Sequence, residues 1–309
     1  MYLKPKFNRI FLLGMVEVRE SQTAKFLKRK VLDVLSRYDV SIDQIFSITS
    51  DNGANMLSAA KQLQEHFTYT IQSNGNMQSD GMEDDSRRDD LVEALTTELS
   101  THFNIVRCAA HTLQLALNDV VRNTDPNVKC ITDFVKSVKK IKYKSSFDVN
   151  KASYPPLWSP TRWSGKYVMI RSIIQQESFF TSLVEQFPEL SLNEEDWEYM
   201  KEYEAAFKPL YVTTKLMQLN HQTFSDFYLQ WLLAIKDIKT LANNRFSEPL
   251  LESLNRRIAV LKENMAFKSA LYLDPRFNFL HSTVFTPDEN NNVQVNTNRS
   301  NRNNVFKYI

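Results

Sequence analysis

Apolar positions recur along this chain with two different periods, and the change from one to the other divides it. Up to about residue 116, short runs rich in Ile, Leu, Val and Phe alternate with stretches of helical period, the order that an α/β layer produces. Residues 7–18 read as a strand, strongest over 9–18. Ser21 or Thr23 then caps a helix that carries Phe26, Leu27, Val31, Val34, Leu35 and Tyr38 on one face. Residues 45–49 form a second short strand. Asp51 opens a helix with Met56, Leu57, Ala60, Leu63 and Phe67. Residues 73–90, with Asp80, Glu83, Asp84 and Asp85, read as an acidic surface loop. A helix over 91–103, a strand over 104–108 and a helix from His111 complete the alternation.

Beyond Cys130 the period is helical throughout. Ile131, Phe134, Val135, Val138 and Ile141 make one apolar stripe, with Lys136, Lys139, Lys140, Lys142 and Lys144 mostly opposite it. Three prolines within 154–161 predict a bend or linker near a domain boundary. Four helical periods follow at 162–185, 192–217, 225–241 and 247–263, the second with Ser191 and Glu194 as capping box. Eight asparagines between Asn290 and Asn304 leave almost nothing to bury, which predicts a disordered tail. The expected organisation is an α/β domain over 1–150, a helical domain over 151–285 and the tail over 286–309.

Composition narrows the chemistry. The chain has 309 residues, 42% hydrophobic and 24% charged, which suits a folded chain of up to two domains. Five glycines stand too far apart for a dinucleotide fingerprint or a P-loop. A net charge of +2 means that any nucleic-acid contact is local. Two cysteines, Cys108 and Cys130, suit a reducing, intracellular compartment. No apolar run approaches the ~18 residues of a membrane span.

Each candidate residue has a structural and a functional account. Asp51 suits a tight strand-to-helix turn with Gly53, and it also sits at a strand's C-terminal end, where α/β sheets place ligands and a carboxylate can hold Mg²⁺. Cys108 and His111 are half of a zinc site; His102 and Cys130 would have to complete it at a spacing that fits no standard finger. A buried thiol and a helix-start histidine are the plainer account. Trp163 is a packing residue or a base-stacking one, with Arg162 solvated or on a phosphate. Lys136, Lys139 and Lys140 are a solvated face or a contact to the DNA backbone.

Four segments in this order resemble the core of a hAT-family transposase: residues 49–56 (Thr-Ser-Asp-Asn-Gly-Ala-Asn-Met), 108–115 (Cys-Ala-Ala-His-Thr-Leu-Gln-Leu), 161–164 (Thr-Arg-Trp-Ser) and 270–277 (Ala-Leu-Tyr-Leu-Asp-Pro-Arg-Phe). The resemblance implies an RNase H-like sheet interrupted by a helical insertion domain, here a truncated sheet. It also implies two Mg²⁺ or Mn²⁺ ions held by two Asp and one Glu for attack on a phosphodiester. Asp51 matches the second Asp, which the resemblance makes a metal ligand. Cys108 and His111 match the pair beside the scissile phosphate, and Trp163 after Arg162 matches the residue that stabilises a flipped base.

The first Asp is expected before residue 1 and the Glu after the Asp274–Phe277 motif. With a central strand missing, the α/β half is expected to be loose and the helical half compact. Two cysteines cannot build a BED-type finger.

The favoured function is a hAT-derived, catalytically incomplete remnant that retains binding to nucleic acid or to transposase-like chains. It would be nuclear, with no membrane association, no small-molecule cofactor and no stably bound metal. The alternatives are an active transposase in which acids such as Glu17 replace the missing ones, and a relic without selected function.

Overall fold

The computed structural model describes residues 13, 15–45, 47–51, 53–76, 103–122, 125–159, 163–218, 222–278, 284–285 and 293–294. Two compact units emerge: Met1–His111 with Ala259–Ile309, and Thr112–Ile258.

The first unit is built on two parallel strands, β1 (Ser47–Ser50) and β2 (Asn104–Arg107), in the register Ser47↔Asn104 to Ser50↔Arg107. Helix α1 (Ala24–Ser36) starts where Thr23 accepts the Phe26 amide at 3.2 Å. It packs on α2 (Ala54–Asn76). Leu35, Ile42, Leu63, Phe67 and Phe103 form the core between helices and strands, with the Phe67 and Phe103 rings 5.4 Å apart. Two side-chain amides serve backbone carbonyls around β2: Gln64 Nε2 donates to Phe103 O at 3.0 Å and Asn264 Nδ2 to Ile105 O at 2.9 Å. Asn264 also caps α11 (Met265–Leu273). The mixed α/β and helical character holds, with a two-stranded sheet among the described residues.

Several expectations are corrected here. Leu13 and residues 15–18 are exposed and belong to no strand, while residues 7–12 lie outside the described residues. Residues 73–76, expected to start the acidic loop, continue α2. Residues 77–90, and the helix expected over 91–102, lie outside the described residues. So do 286–292 and 295–309, although Val293 is itself buried.

The second unit is helical. The chain enters it within α3 (Ala109–Val120) and continues through α4 (Pro126–Val138), α5 (Lys144–Asn150), α6 (Ser164–Ile174) and α7 (Glu177–Gln186). It then runs through α8 (Glu194–Met217) and α9 (Phe224–Lys239) and leaves within α10 (Ser247–Lys262). Helix α4 has Pro126 in its first turn, Asp125 as N-cap, and Val128, Ile131, Phe134, Val135 and Val138 buried at i, i+3, i+4 spacing. Along α8, Tyr203 and Phe207 stack at 4.0 Å and Phe246 meets both edge-on.

The predicted helix over 162–185 is two helices. Gln176 leaves helical geometry, and its amide exchanges hydrogen bonds with the Ser153 backbone at 2.7 and 3.0 Å. The capping box of α8 is Asn193 with Asp196, because Leu192 is already buried before the helix begins. The proline-rich stretch lies inside this unit. Pro155 is buried and Trp158 Nε1 donates to Thr132 Oγ1 at 2.7 Å. Gly165 permits that approach, since a Cβ there would meet Trp158 Cβ at 3.2 Å.

Candidate functional site

The parallel register carries two sequence motifs to one edge. Past the last ladder pair, Ser50↔Arg107, the Cys108 amide donates to Ser50 O at 2.7 Å, so Asp51 and Cys108 leave the sheet side by side. Both strands then turn directly into helices, α2 after Gly53 and α3 after Cys108, and His111 is the third residue of α3. Asp51, Cys108 and His111 therefore share the C-terminal edge of the sheet in the first unit. Asp51 is exposed, and Cys108 and His111 are half-buried. Arg107, which the sequence reading passed over, stands exposed at the same edge. It was legible as the residue preceding the Cys-x-x-His motif on an alternating strand.

The Asp51 carboxylate closes the strand-to-helix turn: Oδ1 accepts the Gly53 amide at 3.0 Å. A Cβ at residue 53 would stand 2.9 Å from that oxygen, so glycine is what lets the carboxylate fold back. A divalent cation of the Mg²⁺ type takes about six oxygen ligands, and a two-metal centre needs several carboxylates. Among the described residues no group of three His, Cys, Asp or Glu side chains could hold a metal ion. Asp51 is a single ligand with one oxygen already engaged, and the described residues do not fit a two-metal centre. Glu17, the suggested substitute, is exposed and paired with Arg19 at 2.9 Å.

For the zinc alternative, His102 lies outside the described residues. Cys130 faces carboxylates in the second unit: burial, followed by the charge and hydrogen bond of Asp196, pushes its thiol up. That environment keeps the thiol protonated and inert.

The nucleic-acid candidates fall in the second unit. Trp163 precedes α6, 6% exposed, with its ring 6.3 Å from Phe207 and 6.4 Å from Tyr211. That is a packing position, and Arg162 lies outside the described residues. Lys136, Lys139 and Lys140 are exposed at the end of α4 and just after it, with Lys136 held by Asp133 at 2.9 Å. Ile141 was expected on the apolar stripe of that helix. The helix stops at Val138, Ile141 enters a 3₁₀ turn (Ile141–Tyr143), and it stands 84% exposed.

Two polar features escaped the sequence reading. Lys166 is 2% exposed, donates to Val121 O at 3.1 Å and lies 4.9 Å from the Trp158 ring centroid. Burial pushes its pKa down against the pull of Asp125. Asp119 takes Arg257 at 2.8 and 3.0 Å, Arg256 at 3.0 Å and Ser253 at 2.9 Å, which ties α3 to α10. A lysine amid apolar residues, and arginines side by side on a helix face, gave no signal of their partners, because those partners are distant in sequence.

Residues 106–205 match the ZBED1 RNase-like helical domain family, about a third of the chain, from the end of β2 to the middle of α8. This relates the segment to hAT/ZBED-type proteins. No curated protein matches the chain. Among the described residues no helix is long and apolar enough to cross a membrane.

Proposed function

We propose that this chain is a hAT transposase-derived protein that binds DNA through its helical unit and keeps, at the strand ends, an incomplete phosphodiester site. The carrying observation is the Ser50–Cys108 ladder step, which joins two of the family's motifs at one sheet edge. The ZBED1-type match over 106–205 supports the same reading for the helical part.

In this reading Asp51 is the remaining metal ligand and Cys108 and His111 flank the position of a scissile phosphate. A pair of Mg²⁺ or Mn²⁺ ions would supply the activation of the attacking oxygen in the family's reaction. The one carboxylate that the described residues place at this edge does not hold that pair, so in this reading the edge contributes orientation and polarity without turnover. Lys139 and Lys140, with Lys136, contact the DNA backbone. Arg162 adds a phosphate contact, and Trp163 stacks on a base once its ring leaves Phe207 and Tyr211. Transposase-like chains are the protein partners and the nucleus is the location; neither a membrane nor a small-molecule cofactor belongs to the account. The second reading is an active enzyme with its acids supplied from elsewhere.

The test is incubation of the full chain with labelled hairpin and nicked duplexes in Mg²⁺ or Mn²⁺. Retarded DNA without new strand ends is the expected result. Divalent-dependent nicking that disappears in Asp51→Ala would establish the active enzyme instead.

A further inference from the structure

Residues 136–151 hold six lysines against one carboxylate, Asp148, a surplus larger than the net charge of the whole chain. Lys136 is bound by Asp133 and Lys142 by Glu189. Lys139, Lys140, Lys144 and Lys151 are exposed and have no carboxylate at ion-pair distance among the described residues. In their midst Ile141 is 84% exposed, the most exposed large apolar side chain described in this unit, and Val149 follows at 77%.

This exposure belongs to a turn anchored by its neighbours. Tyr143 is buried, sets its ring 5.0 Å from Phe187 and donates its hydroxyl to Glu189 at 3.0 Å; Phe147, one turn on, is buried too. Lys140 is extended between the C-cap of α4 and the 3₁₀ turn. An anchored turn that holds an isoleucine outward between lysines exposes apolar area that folding does not use.

Two polyanions suit such a patch, and the geometry separates them. A lipid surface is bound by a helix with a broad apolar face. Here α5 has seven residues and its largest apolar side chain, Phe147, points into the core. A single apolar side chain flanked by cations instead suits a nucleic-acid groove, where isoleucine is among the residues that wedge between base pairs.

We propose that the turn from Lys139 to Lys144 is a duplex-binding wedge. Ile141 enters between base pairs from the minor groove while Lys139, Lys140 and Lys144 hold the flanking phosphates. The proposal rests on the reading of this chain as a DNA binder and specifies how it binds. The cost of unstacking one step is offset by phosphate contacts on both sides of the turn.

The test uses the full chain with short duplexes carrying 2-aminopurine at successive positions, reading affinity by anisotropy and unstacking by the rise in 2-aminopurine fluorescence. The wild type is expected to bind and to raise the fluorescence at one or a few positions. Ile141→Ser, at an exposed site, is expected to keep its circular dichroism, bind roughly ten-fold more weakly (about 1.4 kcal/mol) and lose the fluorescence rise; Ile141→Leu restores it. Lys139→Gln/Lys140→Gln is expected to weaken binding while its residual complex still unstacks the same step. An unchanged fluorescence rise in Ile141→Ser, with DNA binding intact, overturns the wedge and leaves the DNA reading standing. A wild type that binds no duplex overturns both, and retention on phosphatidylserine vesicles in that case would assign the patch to lipid.

Discussion

Ser50 accepts the amide of Cys108 at 2.7 Å, one step beyond the last pair of the parallel ladder. That single bond brings residues 51 and 108, far apart in the chain, to one edge of the sheet, with His111 in the first turn of the helix that follows. Among the described residues no group of three His, Cys, Asp or Glu side chains forms at this edge, and in the proposed incomplete site Asp51 alone binds a cation weakly. Millimolar Mg²⁺ or Mn²⁺ is therefore expected to leave Tm unchanged in the wild type and in Asp51→Ala. A ligand that binds only the folded state raises Tm; a rise in the wild type that is absent in Asp51→Ala would reveal a cation site there.

Gly165 lets the proline-rich segment lie against α6. A Cβ at that position meets Trp158 Cβ at 3.2 Å and Trp158 Cα at 3.3 Å, and the two further carbons of valine have less room still. Gly165→Val is expected to cost about 1–3 kcal/mol by overpacking, measured by urea denaturation. An unchanged midpoint would mean that the segment around Trp158 is not fixed on the helix.

Lys166 gives a pH dependence with a definite sign. Burial lowers its pKa in the folded chain below the ordinary lysine value of 10.5, so between the lowered value and 10.5 the unfolded chain binds more protons. Its contribution to stability therefore rises with pH across that window and is lost as pH falls through the folded value. Lys166→Met removes the titration, and stability curves taken on both chains should converge toward the upper end of the window. A difference that stays constant across the window would show that Lys166 does not titrate there.

Asp119 gives a pH dependence of the same sign, but in the acid range. Burial pushes its carboxyl up, but the hydrogen bonds from Arg257, Ser253 and Arg256 outweigh that and hold it below 3.8. The stabilisation is present above about 3.8 and is lost as pH falls through the lowered value. Asp119→Asn is expected to cost about 1 kcal/mol at neutral pH, since both arginines are partly solvated. That deficit should vanish in strong acid; a deficit independent of pH would contradict the assignment.

What could be read beforehand follows from range. The Thr23 cap, the positions of both strands to within two residues and most helical stripes are local signals, and they were legible. The end of α4 was not, because Ile141 continues the apolar spacing and only the extended Lys140 breaks the helix. The break between α6 and α7 carries no glycine or proline; Gln176 leaves the helix to bond Ser153, a contact between distant parts of the chain. The sharing of one edge by Asp51 and Cys108 was legible, since each ends a strand of an α/β pattern. Arg107 was legible as the residue before the Cys-x-x-His motif, whereas Lys166 and the Asp119 cluster depend on partners distant in sequence that local pattern does not name.

Binding of DNA phosphates by the lysines around Ile141, as proposed, is measured most directly by the salt dependence of duplex binding. Each phosphate contact contributes about −0.9 to the slope of log K against log salt concentration. The wild type is predicted to show a slope of about −3 to −5, and Lys139→Gln/Lys140→Gln/Lys144→Gln to lower its magnitude by about 2–3 with a loss of affinity that does not depend on sequence. A slope unaffected by the triple substitution, or no retention of duplex at low salt, would contradict the account.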